Sequence, residues 1–249
     1  IPAAIAAGAS AVVVSAATDL SSIADLDKVV VVRAPSARLT LGPLASASHG
    51  HPSHTLRVVA LTGTNGKTTT ATLVAQLLCN AGERAAALGT LGLWTAEGVE
   101  PGGLTTPDAV DLQARLASLR DRGFTTVVLE ASSHALDQGR LLGTRIAVAG
   151  WTNLSRDHLD YHGDFATYAA AKMRLFTELL PVGHRAWVNA DDAAVAVARD
   201  VHGVCGYSFG AVSDAEVQVA GLHLDARGLA VRVHVHGQTP LALQAPLLG

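Results

Sequence analysis

Four stretches of this chain hold residues whose types and spacing can do chemistry. The clearest is Thr62-Gly63-Thr64-Asn65-Gly66-Lys67-Thr68-Thr69-Thr70, which follows an apolar run and opens an Ala/Leu-rich one. Glycines let backbone N–H groups close around phosphate oxygens, and a helix N-terminus adds a positive dipole. In such a loop Gly63, Thr64, Asn65, Gly66, Lys67, Thr68 and Thr69 would cradle ATP. Lys67 would neutralise the outer phosphates and the Thr68 hydroxyl would ligate Mg²⁺. The spacing is a variant one, with Gly63 only three residues before Gly66 and Leu61 ahead of it. An ordinary Gly-containing strand-to-helix turn is the alternative, but Gly66-Lys67-Thr68 at the turn itself favours the phosphate loop.

The second stretch is the apolar run 125–130, which ends in Glu130 and is the way a Mg²⁺-coordinating carboxylate is presented beside a phosphate loop. A surface acid at a strand end is the competing reading. The third is Thr152-Asn153-Leu154-Ser155-Arg156-Asp157-His158, with His162 four residues on. His158 and His162 have metal-pair spacing, but Gly163 argues for a loop there, and His162 reads as structural. The fourth is Lys172. Only Lys28, Lys67 and Lys172 are lysines among 18 Lys and Arg, and Lys172 shares a helical stripe with Phe165, Tyr168, Ala169, Leu175, Phe176 and Leu179. A charged amine on a buried face is unfavourable unless paired or modified. It either snorkels at the stripe's edge or faces the nucleotide.

Regular elements must position these residues. Strands are expected at 11–15, 29–33, 57–62, 85–89, 125–130, 146–152 and 185–189. Helices are expected at 3–8, 67–81, 107–122, 134–142 and 164–180, with another from 190. Strand and helix alternate, so the fold class is α/β: a mainly parallel sheet with helices on both faces. Residues 46–54 read as a linker, which puts a domain boundary near 54. From about 214 the texture changes to an antiparallel pair, 217–224 and 229–236, around Asp225-Ala226-Arg227-Gly228, with His234 and His236 facing solvent. The phosphate loop, Glu130 and the 152–158 stretch then all lie past carboxyl ends of strands, where ligands bind in open α/β sheets.

Composition narrows the function classes. Half the residues are apolar and 16% are charged, so the chain folds into a core and is not disordered. A net charge of −3 offers no basic surface for nucleic acid. No run reaches the roughly 20 apolar residues needed to span a bilayer. The N-terminal Ala/Val stretch lacks the basic start of a signal peptide. Cys79 and Cys205 form no Cys-x-x-Cys pair and read as buried thiols in a reducing compartment.

Taken together, Thr62 to Thr70, Glu130-Ala131-Ser132-Ser133-His134, the segment from Thr152 through His158-Leu159-Asp160-Tyr161-His162 to Gly163, and Ala170-Ala171-Lys172 resemble the Mur ligases. These are ATP-dependent amide-bond ligases of peptidoglycan synthesis, and the likeness is greatest to their tripeptide-synthetase branch. It implies that ATP phosphorylates the terminal carboxylate of UDP-MurNAc-L-Ala-D-Glu. The amine of a diamino acid, meso-diaminopimelate or L-lysine, then attacks the acyl phosphate. It further implies that Glu130, His158 and a carbamylated Lys172 join Thr68 around Mg²⁺. Thr105, Thr106, Ser132, Gln138 and Arg140 match positions that hold the UDP-MurNAc-dipeptide. The family setting implies a cytoplasmic, monomeric protein without nucleic-acid or membrane partners. Against the family plan, residues 1–53 match only a remnant of the uridine-binding domain and 54–249 the central ATP-binding domain. The amino-acid-binding domain is missing, so these residues alone are expected to bind ATP without turning over. Folylpolyglutamate synthetase shares the variant loop, but the 155–162 stretch and Thr105-Thr106-Pro107 disfavour it. A GTPase should carry an Asn-Lys-x-Asp guanine reader, and the sequence has none. A non-catalytic nucleotide-binding module is the reading outside the enzymes.

Overall fold

A computed structural model describes residues 1–249 apart from 202, 211, 213, 227 and 246–249. Arg227 of the expected turn and the chain end at 246–249 therefore lie outside the described residues. The N-terminal part holds α1 (Pro2–Ala6), the parallel pair β1 (Ala11–Ser15) and β2 (Val30–Ala34), and α2 (Ala37–Ser48). Ser36 caps α2 through its hydroxyl. The expected linker at 46–54 is shorter than its composition suggested. Helix α2 runs through Ser48, Pro52–His54 forms a 3₁₀ turn, and Ser46 and Ser53 are buried. Small residues read as loop in sequence, yet they also permit close packing. A Cβ on Gly42 would collide with the Leu142 carbonyl, and the Arg145 N–H donates to Ser53 Oγ.

The main body is built from β3 (Arg57–Thr62), α3 (Lys67–Asn80), β4 (Ala85–Gly89), β5 (Gly92–Thr95), β6 (Gly98–Glu100), α4 (Ala109–Asp121), β7 (Thr126–Glu130), α5 (Ser133–Asp137) and β8 (Ile146–Trp151). It continues with α6 (Leu159–His162), α7 (Phe165–Arg174), β9 (Arg185–Asn189), α8 (Ala193–Ala196), β10 (Val204–Ser208), β11 (Val217–Asp225), β12 (Gly228–Val235) and β13 (Leu241–Ala245). All of these strands share one sheet in the order β13-β12-β11-β10-β9-β8-β3-β7-β4-β5-β6. Strands β11 to β4 in that order pair in parallel, and antiparallel strands extend both edges. The α/β class and the pairing of β11 with β12 match expectation, and His234 and His236 are exposed. The short strands β5, β6, β10 and β13 were not anticipated.

Helix bounds moved where local capping decides them. Helix α4 starts at Ala109 and not at 107, because the Asp108 carboxylate caps it by accepting from the Val110 and Asp111 N–H groups. The expected helix 134–142 is only α5, and α6 occupies the stretch expected to be loop. Asp164 caps α7, whose α-helical hydrogen bonding gives way to a π turn at Leu175–Leu179. One face of the sheet buries Leu112, Leu116 and Leu119 of α4 and Leu175 and Phe176 beyond α7. Each such side chain contributes about 1.5–3 kcal/mol. Cys79 and Cys205 are free, as expected, but half-buried rather than buried.

Candidate functional site

Strand β3 lies between β8 and β7, with Leu61 in register with both Glu130 and Gly150. Three chemically equipped segments therefore end side by side: the loop after β3, Glu130 on β7 and the Thr152 tail of β8. Gly66 takes a left-handed φ of 81° as the N-cap of α3, and no side chain caps that helix. Its first N–H groups are left for an anion. The lateral groups of the loop are held by the protein. Asn65 and Asn153 exchange bonds, the Asn65 N–H donating to Asn153 Oδ1 at 2.9 Å and Asn153 Nδ2 donating to the Asn65 carbonyl at 3.0 Å. Thr152 Oγ1 donates to that same carbonyl at 2.7 Å. The Thr64 hydroxyl accepts from the Ser155 N–H and lies 3.1 Å from the Tyr168 hydroxyl.

Lys67 Nζ donates to the carbonyls of Gly63 and Thr64 at 2.8 and 2.9 Å. Lys172 is 1% exposed, so the snorkelling alternative is excluded. Its Nζ donates to the Gly63 carbonyl at 2.9 Å and sits 4.6 Å from the centre of the Tyr168 ring. Burial first, and the Lys67 charge second, lower its pKa to about 7. Burial also lowers Lys67, against the pull of Glu130 and Asp157.

Glu130 is 1% exposed. Its Oε2 accepts from the Thr68 hydroxyl at 2.9 Å and the Thr90 hydroxyl at 3.2 Å, and its Oε1 accepts from the Thr90 N–H at 2.8 Å. A buried carboxylate held by neutral donors, with a hydroxyl at the phosphate-loop helix beside it, offers the oxygen donors that Mg²⁺ prefers, so these residues fit that ion. His158 makes its contacts with other groups. It has a left-handed φ of 51°, its Nε2 lies 3.6 Å from Asp157 Oδ2, and its ring meets those of His134 and Tyr168. Among the described residues no three His, Cys, Asp or Glu side chains are placed to hold a metal. Of the four residues expected around Mg²⁺, Thr68 bonds Glu130, Lys172 bonds the Gly63 carbonyl, and His158 meets the Tyr168 ring over which Lys172 Nζ sits. His162 is buried against Tyr168, Tyr161 and His134, and is no partner to His158 in a metal pair.

The residues expected at the substrate form one connected group. The Thr106 hydroxyl donates to the Glu130 carbonyl at 2.6 Å and accepts from the Ser132 N–H at 3.0 Å. It is buried, and these bonds tie the end of β7 to the residue that caps α5. Ser132 Oγ caps α5 by accepting from the Ala135 N–H. Arg140 donates to Gln138 Oε1 and to the Thr106 carbonyl, and Gln138 reaches the Tyr161 hydroxyl. Thr105, half-buried, lies 3.0 Å from the Thr90 hydroxyl.

Residues 61–249 match the Mur ligase middle domain. The chain belongs to the Mur ligase family. This Mur ligase chain is 43% identical over 260 residues to the UDP-N-acetylmuramoyl-L-alanyl-D-glutamate–2,6-diaminopimelate ligase of Alkalilimnicola ehrlichii, with 99% of the chain and 51% of that protein covered. It is also 43% identical to the ligase of the same name from Xanthomonas campestris, covering 99% of the chain and 49% of that protein. A solved structure of a UDP-N-acetylmuramoyl-L-alanyl-D-glutamate–2,6-diaminopimelate ligase superposes with a TM-score of 0.78 at 33% identity, over 93% of the chain and 47% of that one. The folylpolyglutamate synthase of Mycobacterium tuberculosis shares the fold at a TM-score of 0.61 and 19% identity, over 78% of the chain and 51% of that one. The chain spans about half the length of the curated relatives it matches.

Sequence reasoning passed over several groups in this Mur ligase site. Thr90 sits in a Gly-Thr-Leu-Gly turn that carries no distinctive signal. Tyr168 read as one more apolar position, although its hydroxyl reaches Thr64. Asn153 lay inside a quoted motif, but only the fold places it opposite Asn65.

Proposed function

We propose that this chain carries the nucleotide centre of an ATP-dependent ligase that joins 2,6-diaminopimelate to UDP-N-acetylmuramoyl-L-alanyl-D-glutamate. The observation that carries the reading is the meeting of Lys67, Lys172 and the Thr68–Glu130 pair at the turn after β3. The names of the 43%-identical relatives support the choice of substrates and favour diaminopimelate over L-lysine.

On this reading the uncapped start of α3 and the Lys67 ammonium bind and neutralise the ATP phosphates. Thr68 and Glu130 would hold Mg²⁺, which would supply charge neutralisation on the phosphate oxygens. With its pKa lowered to about 7, a substantial fraction of Lys172 is free amine at neutral pH. That amine attacks the carbon of CO₂, a C–N bond forms, and the displaced proton leaves to solvent. The resulting carbamate carboxylate would balance the Lys67 charge and would offer Mg²⁺ an oxygen donor, with His158 as a further ligand. Thr105, Gln138 and Arg140 orient the substrate, while Thr106 and Ser132 hold the frame behind them. Among the described residues no helix is long and apolar enough to cross a membrane. The protein works as a cytoplasmic monomer.

The test is an assay of the full-length protein with Mg-ATP and UDP-MurNAc-L-Ala-D-Glu, offering diaminopimelate or L-lysine in turn. ADP release with a tripeptide product by mass spectrometry is expected for diaminopimelate. No product with either amino acid would refute the reading. Intact mass should also show Lys172 heavier by one CO₂ in bicarbonate buffer, and an unmodified Lys172 would remove the carbamate from it.

A further inference from the structure

The turn between β4 and β5 places Thr90 between the two halves of the site, and its hydrogen bonds have a fixed direction. An ionised carboxylate only accepts, and a hydroxyl has one proton to donate. Glu130 Oε2 takes the Thr90 proton at 3.2 Å, while the Thr90 N–H is bound to Oε1 at 2.8 Å. The 3.0 Å contact between the Thr90 and Thr105 hydroxyls can then run in one sense only, with Thr105 donating. The Thr105 proton is committed to Thr90, so only oxygen lone pairs remain for a ligand.

We infer that Thr90 is a positioning residue that orders the relay Thr105 to Thr90 to Glu130, and that Thr105 thereby reads an N–H donor on the substrate. This rests on the ligase reading above: the carboxylate to be phosphorylated belongs to the peptide end and must come to the phosphate loop beside Glu130, which Thr105 reaches through Thr90. The donors that end offers are its backbone amides. A carboxylate, which only accepts, is rejected at Thr105 and left to Arg140. Because Glu130 anchors the relay, the same hydroxyl ties the carboxylate beside the phosphate loop to the group that grips the peptide. Thr90 is exposed, so its hydroxyl can be removed without opening the core.

The experiment uses the full-length protein and two depsi-analogues of UDP-MurNAc-L-Ala-D-Glu, in which one or the other peptide-end amide is replaced by an ester. The wild type should show a KM for one analogue raised about tenfold, the effect of losing one hydrogen bond, with kcat changed much less. Thr105→Val should abolish that amide-over-ester preference. Thr90→Val should reduce it, and Thr90→Ser should restore it. A change in overall folding would move Tm and both analogues alike, without the rescue by Ser. No preference in the wild type for either analogue, or a preference unchanged in Thr90→Val, would overturn the inference. Absence of turnover with the all-amide substrate would instead overturn the ligase reading, and this inference with it.

Discussion

The side-chain nitrogens of Lys67 and Lys172 converge on one acceptor, the carbonyl oxygen of Gly63, at 2.8 and 2.9 Å. The Lys67 charge disfavours a charge on Lys172, and an anion would relieve that repulsion. On the proposed reading, phosphate oxygens near Lys67 or a carbamate on Lys172 would supply one.

Removing one of the two charges separates their roles. Lys67→Ala should weaken Mg-ATP binding by about tenfold to a hundredfold, the range for losing charge-assisted hydrogen bonds. Calorimetric titration reads this directly, and unchanged affinity would take Lys67 out of the nucleotide site.

Lys172 makes stability depend on pH. Its pKa falls from 10.5 to about 7 on folding, through burial and the Lys67 charge. Between those values the unfolded chain holds more protons, so stability rises with pH. The contribution is complete above about pH 10.5 and is lost as pH falls through about 7. Lys172→Met should add about 1–3 kcal/mol at pH 6.5 and flatten the profile up to pH 9.5. Urea midpoints at the two pH values, in CO₂-free buffer, check it. A steeper profile in the variant would contradict the assignment.

Asn153 holds the phosphate loop from the side. Asn153→Ala leaves both the N–H and the carbonyl of Asn65 without that amide and should destabilise the chain by about 1–2 kcal/mol. Amide hydrogen exchange at Asn65 should quicken while exchange in β7 stays unchanged. Equal protection at Asn65 in both proteins would show that the pair does not constrain the loop.

Gly89 makes room for Glu130. A Cβ there would fall on the Glu130 carboxyl group, so Gly89→Ala must displace it from Thr68 and Thr90. Overpacking of this kind costs about 1–3 kcal/mol. The Mg²⁺ concentration needed for half-maximal nucleotide binding should rise as well. A variant with unaltered Mg²⁺ dependence would mean that Glu130 does not serve the metal.

Much of this was legible before any coordinates. The phosphate loop announces itself because Gly, Lys and Thr at a strand-to-helix turn serve local geometry and chemistry at once. The helical spacing of Tyr168, Lys172 and Leu175 likewise predicts a buried lysine, since a 3.6-residue period fixes which side chains share a face. Where composition and packing diverge, the sequence misled. Ser46 and Ser53 read as linker and are buried, and Thr106 read as a substrate contact but binds the Glu130 carbonyl.

By itself, the sequence determined the α/β class, the family and the candidate groups for the chemistry, because those follow from local periodicity and short motifs. Only the tertiary structure decided how they meet. The placing of β3 between β7 and β8 brings Glu130 and Asn153 to the loop after β3 from 62 and 88 residues away in sequence. Which proton each hydroxyl donates, and that Lys172 ends on Gly63 and not in solvent, depend on distances across those strands. Contacts of that range are set by sheet order and packing, on which no local pattern of residues reports.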